Sequence, residues 1–134
     1  MWHRKRLYTK TTKIRKTPPN KFELYMYNLL DNDNIEYIKE YQIPNTSKFY
    51  DAYLPKYHLL IEFDGEYWHK QSLTECDTNI QKRNFKNDIY KNKLAMYKGY
   101  RLIRITQNES KEINSMIEYL SDKFIFEMNK NIYN

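Results

Sequence analysis

The chain has 134 residues, 40% of them hydrophobic and 30% charged, with a formal net charge of +6. That length suits one compact domain and is short for two. No apolar run approaches the ~18–20 residues of a membrane span, and a lone cysteine, Cys76, excludes an internal disulfide framework and a cysteine-built zinc site. Met1 to Lys16 is polar and basic with no secretory h-region, so the expectation is a reduced, intracellular (cytoplasmic), soluble domain with no membrane partner.

The charge is unevenly distributed. Arg4, Lys5, Arg6, Lys10, Lys13, Arg15 and Lys16 stand in the first 16 residues with no acid among them. Taking those seven from +6 leaves the other 118 residues near −1. The sequence therefore divides into a basic N-terminal arm, 1–16, and a nearly neutral single domain, 17–134. Such an arm fits a polyanion, and it also fits a solvated terminus with no partner. Asn, Lys, Ile and Tyr are abundant, and their AT-rich codons hint at a phage-like base composition.

Along the domain, Thr17-Pro18-Pro19-Asn20 signals a helix start, with Thr17 or Asn20 as cap. Phe22, Tyr25, Met26, Leu29 and Leu30 then recur at helical spacing, and Asp31 to Asn34 ends the helix. Ile35 to Ile43 reads as a first strand. Lys48 to Leu54 and Tyr57 to Asp64 read as a hairpin turning at Pro55-Lys56, its second strand apolar enough to be central. Gly65 to Thr78 is irregular. Asn79 to Lys98 is expected to be a long helix, with Phe85, Ile89, Leu94 and Met96 among its apolar positions and Gly99 just past its end. Tyr100 to Ile105 is another strand, and Ser110 to about Met128 a final helix. The class is α/β, a mixed central sheet flanked by helices in the order α-β-β-β-α-β-α.

Chemistry is expected where acids interrupt apolar strands. Glu62 and Asp64, two apart, project from one face of their strand. With a two-residue turn, Asp51 pairs with Leu60 and becomes the diagonal neighbour of Glu62, roughly 7–8 Å away between backbones. A three-residue turn flips the register and separates them. Three carboxylates on one face repel and need a counter-charge, and Mg²⁺ (with Mn²⁺ able to substitute) prefers such oxygen ligands. The alternative is that the acids lie at the sheet's end, facing solvent or a lysine.

These residues carry a resemblance. Phe49-Tyr50-Asp51-Ala52-Tyr53-Leu54-Pro55, followed by Leu59-Leu60-Ile61-Glu62-Phe63-Asp64-Gly65-Glu66-Tyr67-Trp68-His69, resembles the core of the restriction-endonuclease-like PD-(D/E)XK superfamily. The similarity is greatest to the branch of very-short-patch repair and phage homing endonucleases. The later pieces are Asp88, Lys91, Ala95 and Gly99-Tyr100-Arg101-Leu102-Ile103-Arg104-Ile105, and Glu23 lies 12 residues before Ile35, as in the family's first helix. The resemblance covers about residues 17–109, with the E-x-D-G-x-x-W-H element its specific part.

It implies a Mg²⁺-dependent endonuclease acting on double-stranded DNA, of homing or mismatch-repair type. Asp51 and Glu62 would hold the ion, and Asp64 would bind it directly or through water. His69 would be the general acid or base. Glu23 would be an outer ligand or would orient His69; Asp88 would orient His69; Lys91 would contact the scissile phosphate. DNA is expected on the basic arm and on Lys82, Arg83 and Lys86. Duller roles also fit: Glu23 in a capping box, His69 as a loop residue, Asp88 and Lys91 as a surface ion pair, and His58 at a strand edge. Asp64 stands where the generic pattern has lysine, and the cysteines of the repair enzymes' zinc site are lacking. No separate recognition domain is evident, so sequence readout falls to the arm, the 65–78 loop or a homodimer. A junction resolvase, a nuclease subunit and a catalytically idle DNA-binding module are the alternatives.

Overall fold

Asn20 opens the first described element. In the computed structural model, which describes residues 20–65 and 78–123, its side chain accepts a hydrogen bond from Glu23 N at 2.9 Å, and Glu23 Oε1 accepts from Asn20 N at 3.0 Å. This reciprocal box satisfies two otherwise orphaned donors and starts helix α1, Lys21–Asn32. The apolar positions Phe22, Met26, Leu29 and Leu30 form the stripe that α1 buries.

Strands β1 (Ile38–Gln42), β2 (Phe49–Leu54), β3 (Leu59–Asp64) and β4 (Arg101–Thr106) form one sheet in that spatial order. The first three are antiparallel neighbours, and β4 joins β3 in parallel after the crossover helix α2, Asn79–Tyr97. The one-turn helix α3, Gln107–Ser110, follows β4, and helix α4 covers residues 116–123.

The expected class and order hold. A mixed four-stranded sheet lies between helices, with β3 central and buried along its length. Side chains of β3 alternate between two cores. Leu59, Ile61 and Phe63 join Met26, Leu30, Ala52, Leu54, Ile105, Met116 and Leu120 beneath α1 and α4. Leu60 faces the opposite way and packs with Ile38, Tyr41, Ile43, Tyr50 and Ala95 of α2.

Four expectations need correction. The first strand is shorter than Ile35 to Ile43, and Glu40 within it takes a positive φ of 48°. The hairpin does not turn at two residues. Pro55–Tyr57 is a 3₁₀ turn closed by His58 in the left-handed region, so Leu54 pairs with Leu59 instead of Tyr57. His58 therefore ends a turn and accepts or donates a hydrogen bond with Tyr53 at 2.8 Å, unlike the strand-edge side chain expected. On α2, Ile89 and Met96 are exposed, and Lys91 and Ala95 are its buried residues. Finally, one helix from Ser110 does not form. Thr106 caps α3 through Glu109 N, and a turn precedes α4. Asp33 Oδ2 then accepts from Ile117 N and Ser115 Oγ, tying the new helix start to the end of α1. Gly99 behaves as expected, with φ at 84° just beyond α2.

Candidate active site

The four-residue connection shifts the register by two, which keeps the facing of the side chains. Continuing the observed pairing of Ala52 with Ile61 sets Asp51 opposite Glu62, where the diagonal relation was expected. There the main-chain ladder gives way to side chains. Asp51 N donates to Glu62 Oε1 at 2.9 Å, and Phe63 N donates to Asp51 Oδ2 at 2.7 Å. Two carboxylates thus occupy the gap between two splayed strands.

The backbone around them is braced from both faces. Tyr27 of α1 donates its hydroxyl to Asp51 O at 2.8 Å, and Tyr50 donates to Lys91 O on α2 at 2.9 Å. Lys91, only 8% exposed, crosses from α2 to bond Glu62 Oε2 at 2.6 Å, with its ammonium 4.7 Å from the centre of the Tyr50 ring. The surface pair of Asp88 with Lys91 is thereby replaced by a buried pair of Lys91 with Glu62. Taking two charges from water is costly, and removing one partner alone costs about 3–5 kcal/mol.

Burial, and then the neighbouring charge of Glu62, pushes the Asp51 carboxyl up to about 7, against the opposing effects of Phe63 N and Lys91. A carboxyl raised in this way is stabilised in its charged form by an added cation. Among the described residues no group of three or more His, Cys, Asp or Glu has metal-holding geometry. Mg²⁺, however, is commonly held by one or two carboxylates together with its own waters. Asp51 and Glu62 meet that lesser demand chemically: both are hard oxygen donors on adjacent strands, Glu62 buried and Asp51 partly so.

Asp64 is engaged elsewhere. Its Oδ1 accepts from Arg104 Nη1 at 3.0 Å, across the parallel β3–β4 ladder. A small cavity of about 150 Å³ opens beside it, lined by Phe63, Asp64, Gly65, Asn84, Asn87 and Asp88. Asp88 lies 3.9 Å from the same guanidinium nitrogen. Glu23 carries the α1 cap, though its charge still contributes to raising Asp51. Lys82, Arg83 and Lys86 form an exposed basic row on α2. His69 and the basic residues Arg4, Lys5, Arg6, Lys10, Lys13, Arg15 and Lys16 lie outside the described residues. Arg104 received no role from sequence reasoning. Its signal was a basic residue inside the apolar strand that runs beside the acid-bearing one.

No protein-family model and no curated protein matches this chain. Among solved structures, the catalytic domain of the homing endonuclease I-Bth0305I is similar, with a TM-score of 0.52 and 23% identity. The match covers 79% of this chain and 91% of that one. At that identity the likeness shows the fold. No helix among the described residues is long and apolar enough to cross a membrane.

Proposed function

We propose that this protein is a metal-dependent DNA endonuclease of the PD-(D/E)XK type, nicking or cleaving duplex DNA as a homing or mismatch-repair-like enzyme. The observation that carries the reading is the break in the β2–β3 ladder, where the Glu62 carboxylate accepts from Asp51 N and the Asp51 carboxylate accepts from Phe63 N, beside the buried Lys91. Two acids side by side in a sheet, one of them with its carboxyl pushed up by burial and by its neighbour's charge, form an arrangement typical of functional sites. The fold shared with a homing endonuclease catalytic domain supports the same reading.

In this proposal Asp51 and Glu62 would hold Mg²⁺, with Asp64 binding it directly or through water. A bound divalent ion would lower the pKa of the attacking water and stabilise charge on the phosphoryl oxygens. Lys91 contributes a fixed positive charge beside Glu62 for the scissile phosphate. His69 donates or accepts the proton, with Asp88 and Glu23 as its orienting groups. The cavity at Asp64 and Asp88 gives room for ordered water next to the acids. The arm and the Lys82, Arg83, Lys86 row supply phosphate contacts that carry no sequence information.

Supercoiled plasmid incubated with the protein, with Mg²⁺ or with EDTA, tests the reading directly. Nicking that requires the metal and disappears in Asp51→Asn supports it. Binding without cleavage on any DNA, or cleavage that survives EDTA, overturns it.

A further inference from the structure

Arg104 occupies an unusual position for a strand residue. Its Nη1 lies 3.0 Å from Asp64 Oδ1, 3.9 Å from Asp88 Oδ1 and 4.0 Å from Glu62 Oε2. Its Nε donates to Asn92 Oδ1 at 3.0 Å, and Nη2 donates to the Asp88 carbonyl at 3.3 Å. The side chain is 18% exposed. One guanidinium therefore joins the acids of β3 to two successive turns of α2. The β3–β4 ladder already pairs Arg104 with Glu62 through the main chain, so the side chain is not needed to align the strands. A guanidinium does not give up its proton, so this counter-charge is permanent.

We infer that Arg104 is a positioning residue of the proposed nuclease site, a resident cation that weakens divalent-ion binding while holding Asp64 and Asp88 in place. The inference rests on the nuclease reading. Glu62 is shared between Asp51, Lys91 and the approach of Arg104, so an ion held by Asp51 and Glu62 meets a positive charge close by. Repulsion at that range raises the dissociation constant. The same charge keeps the acids together when no ion is present, and its planar fork bonds the Asp64 carboxylate, the Asp88 carbonyl and Asn92 at once, in a way a point charge cannot. The arrangement exchanges metal affinity for order among the acids.

Mn²⁺ binding, followed by calorimetry and by melting temperature, separates these effects from catalysis. Arg104→Gln should tighten Mn²⁺ binding about three- to tenfold, a coupling of ordinary size between neighbouring charges. Arg104→Lys, which keeps the charge, should stay within about twofold of wild type. Both should nick plasmid more slowly, because neither reproduces the fork. Equal or weaker Mn²⁺ binding in Arg104→Gln overturns the inference. If circular dichroism shows that Arg104→Gln fails to fold, the comparison moves to Asp64→Asn against Asp64→Asn/Arg104→Gln, where a neutral pair replaces the ionic one. Tightening is again required there. Wild-type protein with no Mn²⁺ response overturns both this inference and the metal-dependent reading. A responsive wild type with an unaltered Arg104→Gln overturns this inference alone.

Discussion

The two faces of the sheet are held by different physics. Beneath α1 and α4, Met26, Leu30, Ala52, Leu54, Leu59, Ile61, Ile105 and Met116 are fully buried apolar groups. Burying each large one contributes about 1.5–3 kcal/mol without any orientational demand. Under α2 a smaller apolar cluster of Ile38, Ile43, Leu60 and Ala95 is joined by directional contacts. Tyr41 and Tyr100 share a hydrogen bond at 2.9 Å, Tyr50 holds the Lys91 carbonyl, and Lys91 and Arg104 meet Glu62 and Asp64. Only Ala95 and Lys91 of α2 are buried, whereas α1 buries five residues. Carboxylates are held in place there by tyrosine hydroxyls and fixed charges, whose contribution depends on geometry as apolar burial does not.

The largest contrast is expected between function and stability at Asp51. Asp51→Asn should reduce plasmid cleavage by at least about 10³-fold, since it removes a proposed metal ligand. DNA affinity should stay equal or rise as repulsion with phosphate falls, and the cooperative melt should be kept. On the opposite face, Leu30→Ala should do the reverse. It should cost about 2–5 kcal/mol of stability through the cavity it leaves, while folded molecules retain their specific activity. Denaturant melts and single-turnover cleavage on both variants check the pair. Cleavage at wild-type rate by Asp51→Asn removes the site from this face.

The buried ion pair gives the next effect. Lys91→Met leaves Glu62 with only the more distant Arg104 as counter-charge and should cost about 3–5 kcal/mol, whereas Lys91→Met with Glu62→Gln should recover most of that loss. Strict additivity in this cycle, measured by urea unfolding, would show that the 2.6 Å contact carries no coupling energy.

The apolar face was the more legible in the sequence. The spacing of Phe22, Met26, Leu29 and Leu30 specifies α1 locally, and the apolar run Leu59 to Ile61 with Phe63 marks the central strand. Asp51, Glu62 and Asp64 stand out as acids among apolar residues, so candidates could be named. Their partners could not. Whether Asp51 stands opposite or diagonal to Glu62 depends on His58 adopting a left-handed turn, which histidine does not advertise. Lys91 looks like a surface residue beside Asp88, because helical spacing says nothing of a strand 29 residues away. Arg104 reaches its acids only once β4 lies parallel to β3. Directional contacts between distant elements leave little periodic trace.

The smallest expected effect concerns a charged polar tie on the apolar side. Asp33 ends α1, and its Oδ2 accepts from Ile117 N at 3.0 Å and from Ser115 Oγ at 3.2 Å, fastening α4 to α1. The Ile117 N–H, aided by Ser115, holds this carboxyl below its usual 3.8. A depressed folded value means that the native state binds its proton less readily than the unfolded chain. The contribution to stability is therefore complete above 3.8 and is lost as pH falls through the folded value. Because the group faces solvent, the effect is screened by salt and modest. Asp33→Asn keeps an acceptor for the Ile117 N–H but removes the charge. Its melting temperature should lie slightly below wild type at pH 5, and the gap should close as the buffer is taken below the folded value, where the wild-type carboxyl is also neutral. A gap that is constant across this range would mean that the tie acts through geometry alone. The Asp33 charge would then add nothing to the α1–α4 face, and the contrast with the α2 face would be sharper still.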